Sequence, residues 1–89
     1  MRQTVHAVIK THLCKHISTT RAKNKWTKRK MAEELDMDDR SYADIEKGTS
    51  ACSTVTFILY ILFVLEEEKQ NDLLRELREQ ILKTWGEVA

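Results

Sequence analysis

An all-α fold is predicted for this chain by three observations. Its 89 residues contain no proline and only two glycines, Gly48 and Gly86, whereas a β-sandwich or barrel needs a turn signal roughly every 8–12 residues. Apolar residues recur at three- and four-residue steps, the period of one helix face. Residues suited to helix caps, Thr27, Asp38 and Ser53, stand directly before such stretches, and Gly48 stands after one. The length suits one small domain, since independent domains usually hold about 50–250 residues.

The elements follow in order. Val5, Ile9, Leu13 and Ile17 form a four-residue stripe that predicts a first helix over residues 3–24, within an N-terminal segment 1–24. Its weak point is Ser18, Thr19 and Thr20, where β-branching and competing hydroxyls lower helix propensity. Thr27 caps a second helix to about Leu35, with Met31, Ala32 and Leu35 inward and Trp26 as a staple before the cap. Asp36, Met37 and Asp38 form a tight turn, Asp38 caps a third helix over 39–47, and Gly48 ends it. Together these make a unit over 27–48.

Ser53 caps a fourth, apolar helix over 53–67, although the stretch 54–61 also has strand propensity. After a polar patch at 69–72, Leu73, Leu74, Leu77, Ile81, Trp85 and Val88 keep helical spacing and predict a C-terminal helix over 72–86. That helix is separate from the fourth or continuous with it, depending on whether the patch breaks the chain. Because Val55, Phe57, Ile58, Leu59, Leu62 and Phe63 cannot share one face, a neighbouring helix or a second copy must cover the remainder.

Charge is unevenly placed. Residues 1–32 hold nine Lys or Arg and no acid, while the rest hold six basic and fourteen acidic residues, giving net charges of +9 and −8 in a chain of net +1. Such a split suits a polyanion partner for the basic part, or two halves that attract each other. The apolar run 55–65 has eleven residues, too few for a bilayer that needs about 20 in a helix. No export signal is evident, so a cytoplasmic location is expected, with Cys14 and Cys52 as free thiols. His12 and His16 lie one turn apart, but Cys14 points about 200° away from His12 and no further ligands accompany them, so no metal site is expected. No nucleophile has an evident base and no glycine-rich phosphate loop exists, so neither enzymatic activity nor a cofactor is expected.

Two short helices joined by a tight turn form the arrangement in which the second helix enters a DNA major groove. Arg21 lies six residues before the capping Thr27, Ala32-x-x-Leu35 lies in the second helix, Ile45-Glu46-x-Gly48 closes the third, and Ser53-x-x-Thr56-Phe57 opens the fourth. Over residues 13–65 this spacing resembles the Cro/CI (Xre) type of helix-turn-helix domain. The resemblance implies a five-helix lambda-repressor-like fold with an added C-terminal amphipathic helix, and a sequence-specific regulator of transcription, most simply a repressor, that binds double-stranded DNA. It further implies that Thr27 and Lys28 abut the DNA backbone and that Asp39, Arg40, Ala43 and Asp44 of the third helix face base edges, with Ser41 near the backbone. It pairs Arg21 with Glu46 as an internal tie.

The residues themselves bear on this. Lys28, Arg29 and Lys30 occupy the first turn of a helix, where the macrodipole disfavours cations. Phosphate binding accounts for that exception, and a solvated basic face accounts for it without a ligand. Arg40 suits guanine, whereas Asp39 and Asp44 find a major-groove donor only on cytosine. Asp39 also has a simpler role, as a first-turn acid that suits the dipole. Lys47 and Thr49 are placed to reach phosphate. A homodimer through the apolar fourth and C-terminal helices is expected, because paired subunits read palindromic sites. The alternative is a protein-interaction module, antitoxin-like or anti-repressor, that uses the acidic third helix and the apolar carboxyl half. A membrane-surface role ranks below both.

Overall fold

The structure, a computed structural model, describes residues 2–88, with side-chain surroundings described for residues 5–84. The chain forms α1 (Arg2–Lys23), α2 (Lys28–Glu34), α3 (Asp39–Lys47), α4 (Thr54–Leu59), a π-helical segment (Tyr60–Val64) and α5 (Glu67–Val88). No strand occurs among the described residues, so the strand propensity of 54–61 is overridden by its packing. No described helix is long and apolar enough to cross a membrane.

Each cap follows from local hydrogen-bond needs. Thr27, Asp38 and Ser53 all have extended backbone and accept from the amides of Lys30, Ser41 and Thr56, each three residues on. Three helices close in the same way. Lys25 (φ 58°), Asp36 (φ 55°) and Gly48 (φ 80°) adopt left-handed backbone, and the next amide reaches back five residues: Trp26 to Arg21, Met37 to Ala32, and Thr49 to Asp44, at 3.0–3.1 Å. This double-bonded closure satisfies carbonyls that a helix end would otherwise leave unpaired. α1 runs unbroken through Ser18–Thr20, since Thr20 turns inward to a buried partner and the helix is held by packing.

No atom would meet a Cβ built on Gly48, so the cost of Gly48→Ala lies in the backbone alone. A loss of about 1–2 kcal/mol is expected for an L side chain in that conformation. Urea unfolding checks this, and an unchanged midpoint would refute it.

The core joins Leu13, Cys14 and Ile17 of α1 to Met31, Ala32 and Leu35, to Tyr42 and Ile45 of α3, and to Tyr60, Leu65, Leu73 and Leu77. Two expectations are corrected here. The break after α4 falls at Leu65 and Glu66, ahead of the polar patch 69–72, which lies inside α5 with Lys69 and Asn71 exposed and Gln70 and Asp72 half-buried. The expected fourth helix over 53–67 and C-terminal helix over 72–86 therefore become 54–59, the π-helical segment and 67–88. Tyr60 and Leu65 explain the wider turn. Five residues apart in an α-helix they would point about 140° from each other, yet both are buried, and the amide of Leu65 bonds the Tyr60 carbonyl at 3.0 Å. Gln70 of α5 then donates to the carbonyls of Ile61 (2.7 Å) and Leu65 (3.3 Å), closing the segment's end.

α5 takes α1 as its principal neighbour rather than α4. Leu73 and Leu77 are buried in the shared core, Ile81 is half-buried, and Leu74 and Leu82 face outward. The surroundings of Trp85 and Val88, expected on the same stripe, lie outside the described residues. α4 and the π-helical segment consequently keep Val55, Ile58, Leu62 and Phe63 exposed.

Candidate nucleic-acid interface

Two short helices, α2 and α3, pack against each other across the turn at Leu35–Asp38, and α3 also packs on α1. Tyr42 and Ile45 are the buried face of α3. Asp39, Arg40, Ser41 and Lys47 are exposed, and Ala43 and Asp44 are partly so. Thr27, Lys28 and Arg29 are exposed at the start of α2, and Thr49 beyond α3. The ten sequence-derived residues thus lie on these two helices and their caps.

A buried polar cluster sets the position of α3. Arg21 donates through Nε to Glu46 Oε2 at 2.6 Å and through Nη2 to Oε1 at 3.3 Å, and its Nη1 donates to the Trp26 carbonyl at 3.0 Å. The Glu46 side chain is only 10% exposed and also accepts from the Tyr42 hydroxyl. Burial alone would push the Glu46 carboxyl up, but the hydrogen bonds from Arg21 and Tyr42 hold it below the usual glutamate range. The bond to Glu46 pushes Arg21 up, and burial with the same carboxylate pushes Tyr42 up. One guanidinium therefore fastens α1, the loop at Trp26 and α3 together. The sequence resemblance implied the Arg21–Glu46 pair. Tyr42 as its third member was missed, although its spacing of four from Glu46 is the signal for a same-face contact.

The cations of α2 differ from one another. Lys30 pairs with Glu34 at 2.7 Å, which raises its pKa, and its Nζ stands 5.6 Å from the Trp26 ring centroid. Arg29 makes a looser pair with Glu33 at 3.7 Å. Lys28 makes no ion pair among the described residues. Exposed pairs of this kind are worth about 0–1 kcal/mol, so they yield readily to a phosphate.

On α3, the Asp38 carboxylate accepts from the Ser41 amide at 2.7 Å, which holds its pKa down. The Thr49 hydroxyl donates inward to the Asp44 carbonyl at 3.1 Å, and the Thr49 and Ser50 amides reach the same oxygen. Thr49 is in this way a cap of α3, and its hydroxyl proton is not directed outward. Residues 27–49 hold five basic and seven acidic side chains, a net of −2. The positive field comes instead from α1 and its loop, where Lys15, Lys23 and Lys25 are exposed.

His12 and His16 are each taken by a single partner. His12 Nε2 bonds Glu76 of α5 at 2.9 Å, and His16 Nδ1 bonds the Tyr60 hydroxyl at 2.5 Å. No group of three metal-ligating side chains occurs among the described residues. Cys14 and Cys52 are free, and burial pushes both thiols up, Cys52 to about 11.

Comparison with protein families, curated proteins and solved structures finds no match to this chain.

Proposed function

We propose that this chain is a sequence-specific regulator that binds double-stranded DNA, most simply a repressor, built as a lambda-repressor-like helix-turn-helix domain. The supporting observation is the fixed α3: its inner face is held by Tyr42, Ile45 and the Arg21–Glu46 tie, while Asp39, Arg40 and Lys47 stand free on its outer face. Arg40 then meets a guanine, and Asp39 or Asp44 accepts from a cytosine amino group. Thr27 and Lys28 meet phosphate at the start of α2, with Arg29 as their neighbour.

The active form is a homodimer. Val55, Ile58 and Leu62 are 67%, 48% and 60% exposed at spacings of three and four, and Leu74 and Leu82 add exposed apolar surface on α5. A second copy covering them gives two reading helices for a palindromic site.

Selection from random duplexes at moderate salt tests the reading, and a palindrome is the expected product. Each phosphate contact adds about 0.9 to the slope of log affinity against log salt. Lys28→Ala should lower that slope by about one unit for every duplex, whereas Arg40→Ala should change the selected sequence. Absence of duplex binding at low salt, or binding independent of salt, would sink the proposal.

A second reading, a module that binds a protein, draws on the net charge of −2 over 27–49 and on the exposed apolar face of α4. Capture of a basic protein partner in nuclease-treated extract, with no duplex selected, would favour it.

A further inference from the structure

A cleft of about 800 Å3 lies between the second half of α1 and the segment that joins the π-helical turn to α5. That volume is in the range of small-molecule sites, about 300–1,000 Å3. One wall is apolar. Phe63 of the π-helical segment is 69% exposed and faces this space together with Val64 and the half-buried Trp26. π-helical turns occur frequently at functional sites.

The rest of the cleft is polar, and its three lysines are unpaired among the described residues. Lys15, Lys23 and Lys69 line it, and none of them makes an ion pair among the described residues. Of its three acids, Asp72 is paired with Arg75 at 2.7 Å, Glu76 is hydrogen-bonded to the His12 ring at 2.9 Å, and Glu66 makes no ion pair among the described residues.

His16 supplies the directed group. Its Nδ1 is bonded to the Tyr60 hydroxyl, which also meets Thr20 at 2.6 Å and donates to the His16 carbonyl at 3.2 Å. Nδ1 is thereby engaged, and Nε2 is the ring nitrogen left to a ligand. Every buried side-chain nitrogen and oxygen has a partner, so the unpartnered Nε2 is one that solvent reaches. Burial holds the pKa of His16 down. Glu76 opposes this, and His12, Lys23 and Lys69 add to it.

We propose that this cleft binds a small organic anion with a flat apolar body, an aromatic carboxylate in kind, its carboxylate between Lys23, Lys69 and His16 and its ring against Phe63 and Trp26. A bound carboxylate offsets Lys23 and Lys69, two of the groups that hold the His16 ring deprotonated. Binding is therefore linked to uptake of a proton by the His16 ring, whose Nε2 then donates to the ligand. This site stands independently of the DNA-binding reading.

The full chain, titrated with 2-naphthoate and followed by amide and histidine NMR, tests it. Saturable shifts at the cleft are expected, with a rise in the His16 pKa and a proton uptake that varies with buffer ionisation enthalpy in calorimetry. The neutral amide of the same ring should bind about tenfold more weakly, as should a Lys23→Ala/Lys69→Ala variant. Phe63→Ala should weaken naphthoate without altering the response to inorganic phosphate. All three positions are exposed, so these variants should keep the fold. Absence of saturation at millimolar naphthoate, equal binding of the neutral amide, an unaffected double-lysine variant, or phosphate binding as tightly as naphthoate would each overturn the proposal.

Discussion

Replacing Glu46 by alanine should destabilise the fold by about 3 kcal/mol, because it strands a guanidinium whose side chain is 21% exposed beside the Tyr42 hydroxyl. For a domain of this size the expected fall in melting temperature is roughly 15 °C. Glu46→Gln keeps an acceptor for Arg21 but not the charge, so its loss should be smaller. The acid limb gives a second readout. The folded pKa of Glu46 lies below its ordinary value of 4.5, so the tie's contribution is complete above that pH and declines as pH falls through the folded value. Thermal melts between pH 7 and pH 3 should show this decline in the native chain and its absence at position 46 in Glu46→Gln. A loss under about 1 kcal/mol for Glu46→Ala would reduce the tie to an ordinary surface pair. Because the tie holds α3, the proposed DNA-binding function further requires that duplex affinity fall in this variant, without a new preference for sequence.

The second large effect is expected at Leu73. It is wholly buried where α5 meets the core, whereas its neighbour Leu74 is 50% exposed. Leu73→Ala opens a cavity and should cost about 3 kcal/mol, within the range of roughly 2–5 for such truncations. Leu74→Ala should cost no more than about 0.5 kcal/mol in dilute, monomeric protein. Denaturant unfolding of the two variants compares one helix turn in two environments. Equal losses would mean that α5 does not dock through Leu73, and the packing described above would be wrong.

The features legible in the sequence are those decided within one helical turn. Thr27, Asp38 and Ser53 accept from amides three residues away, and Gly48 supplies a left-handed closure, so residue type and position suffice. Lys25 could not be foreseen as a left-handed residue, since a lysine gains nothing there and only the bonds from Lys25 and Trp26 back to α1 explain it. The π-helical segment was equally hidden, because it results from burial of both Tyr60 and Leu65 against distant elements. Misplacing the start of α5 has a simpler cause: the polar patch 69–72 looks like a loop until Leu73 is known to face inward.

At the candidate interface, the sequence places the residues on α2, α3 and their caps, and the ion pairs of α2 are open to the same reading. Lys30–Glu34 and Arg29–Glu33 are four-residue pairs that spacing alone discloses. The inward hydroxyl of Thr49 depends on the geometry of the α3 end and is not disclosed by spacing. The apolar run 55–65 required a cover, and the structure supplies one for Tyr60 and Leu65 while leaving Val55, Ile58 and Leu62 to solvent.

α1 is a wall shared by α3 and α5, and this shapes how the protein opens. α5 spans 22 residues, yet its buried described side chains are Leu73, Leu77 and Thr84, of which only Leu73 is fully so. Few anchors over a long helix make its release cheaper than loss of the whole core. Amide exchange should then divide the chain in two, with α5 exchanging through a partial opening and the centre of α1, around Ile17, exchanging only when everything unfolds.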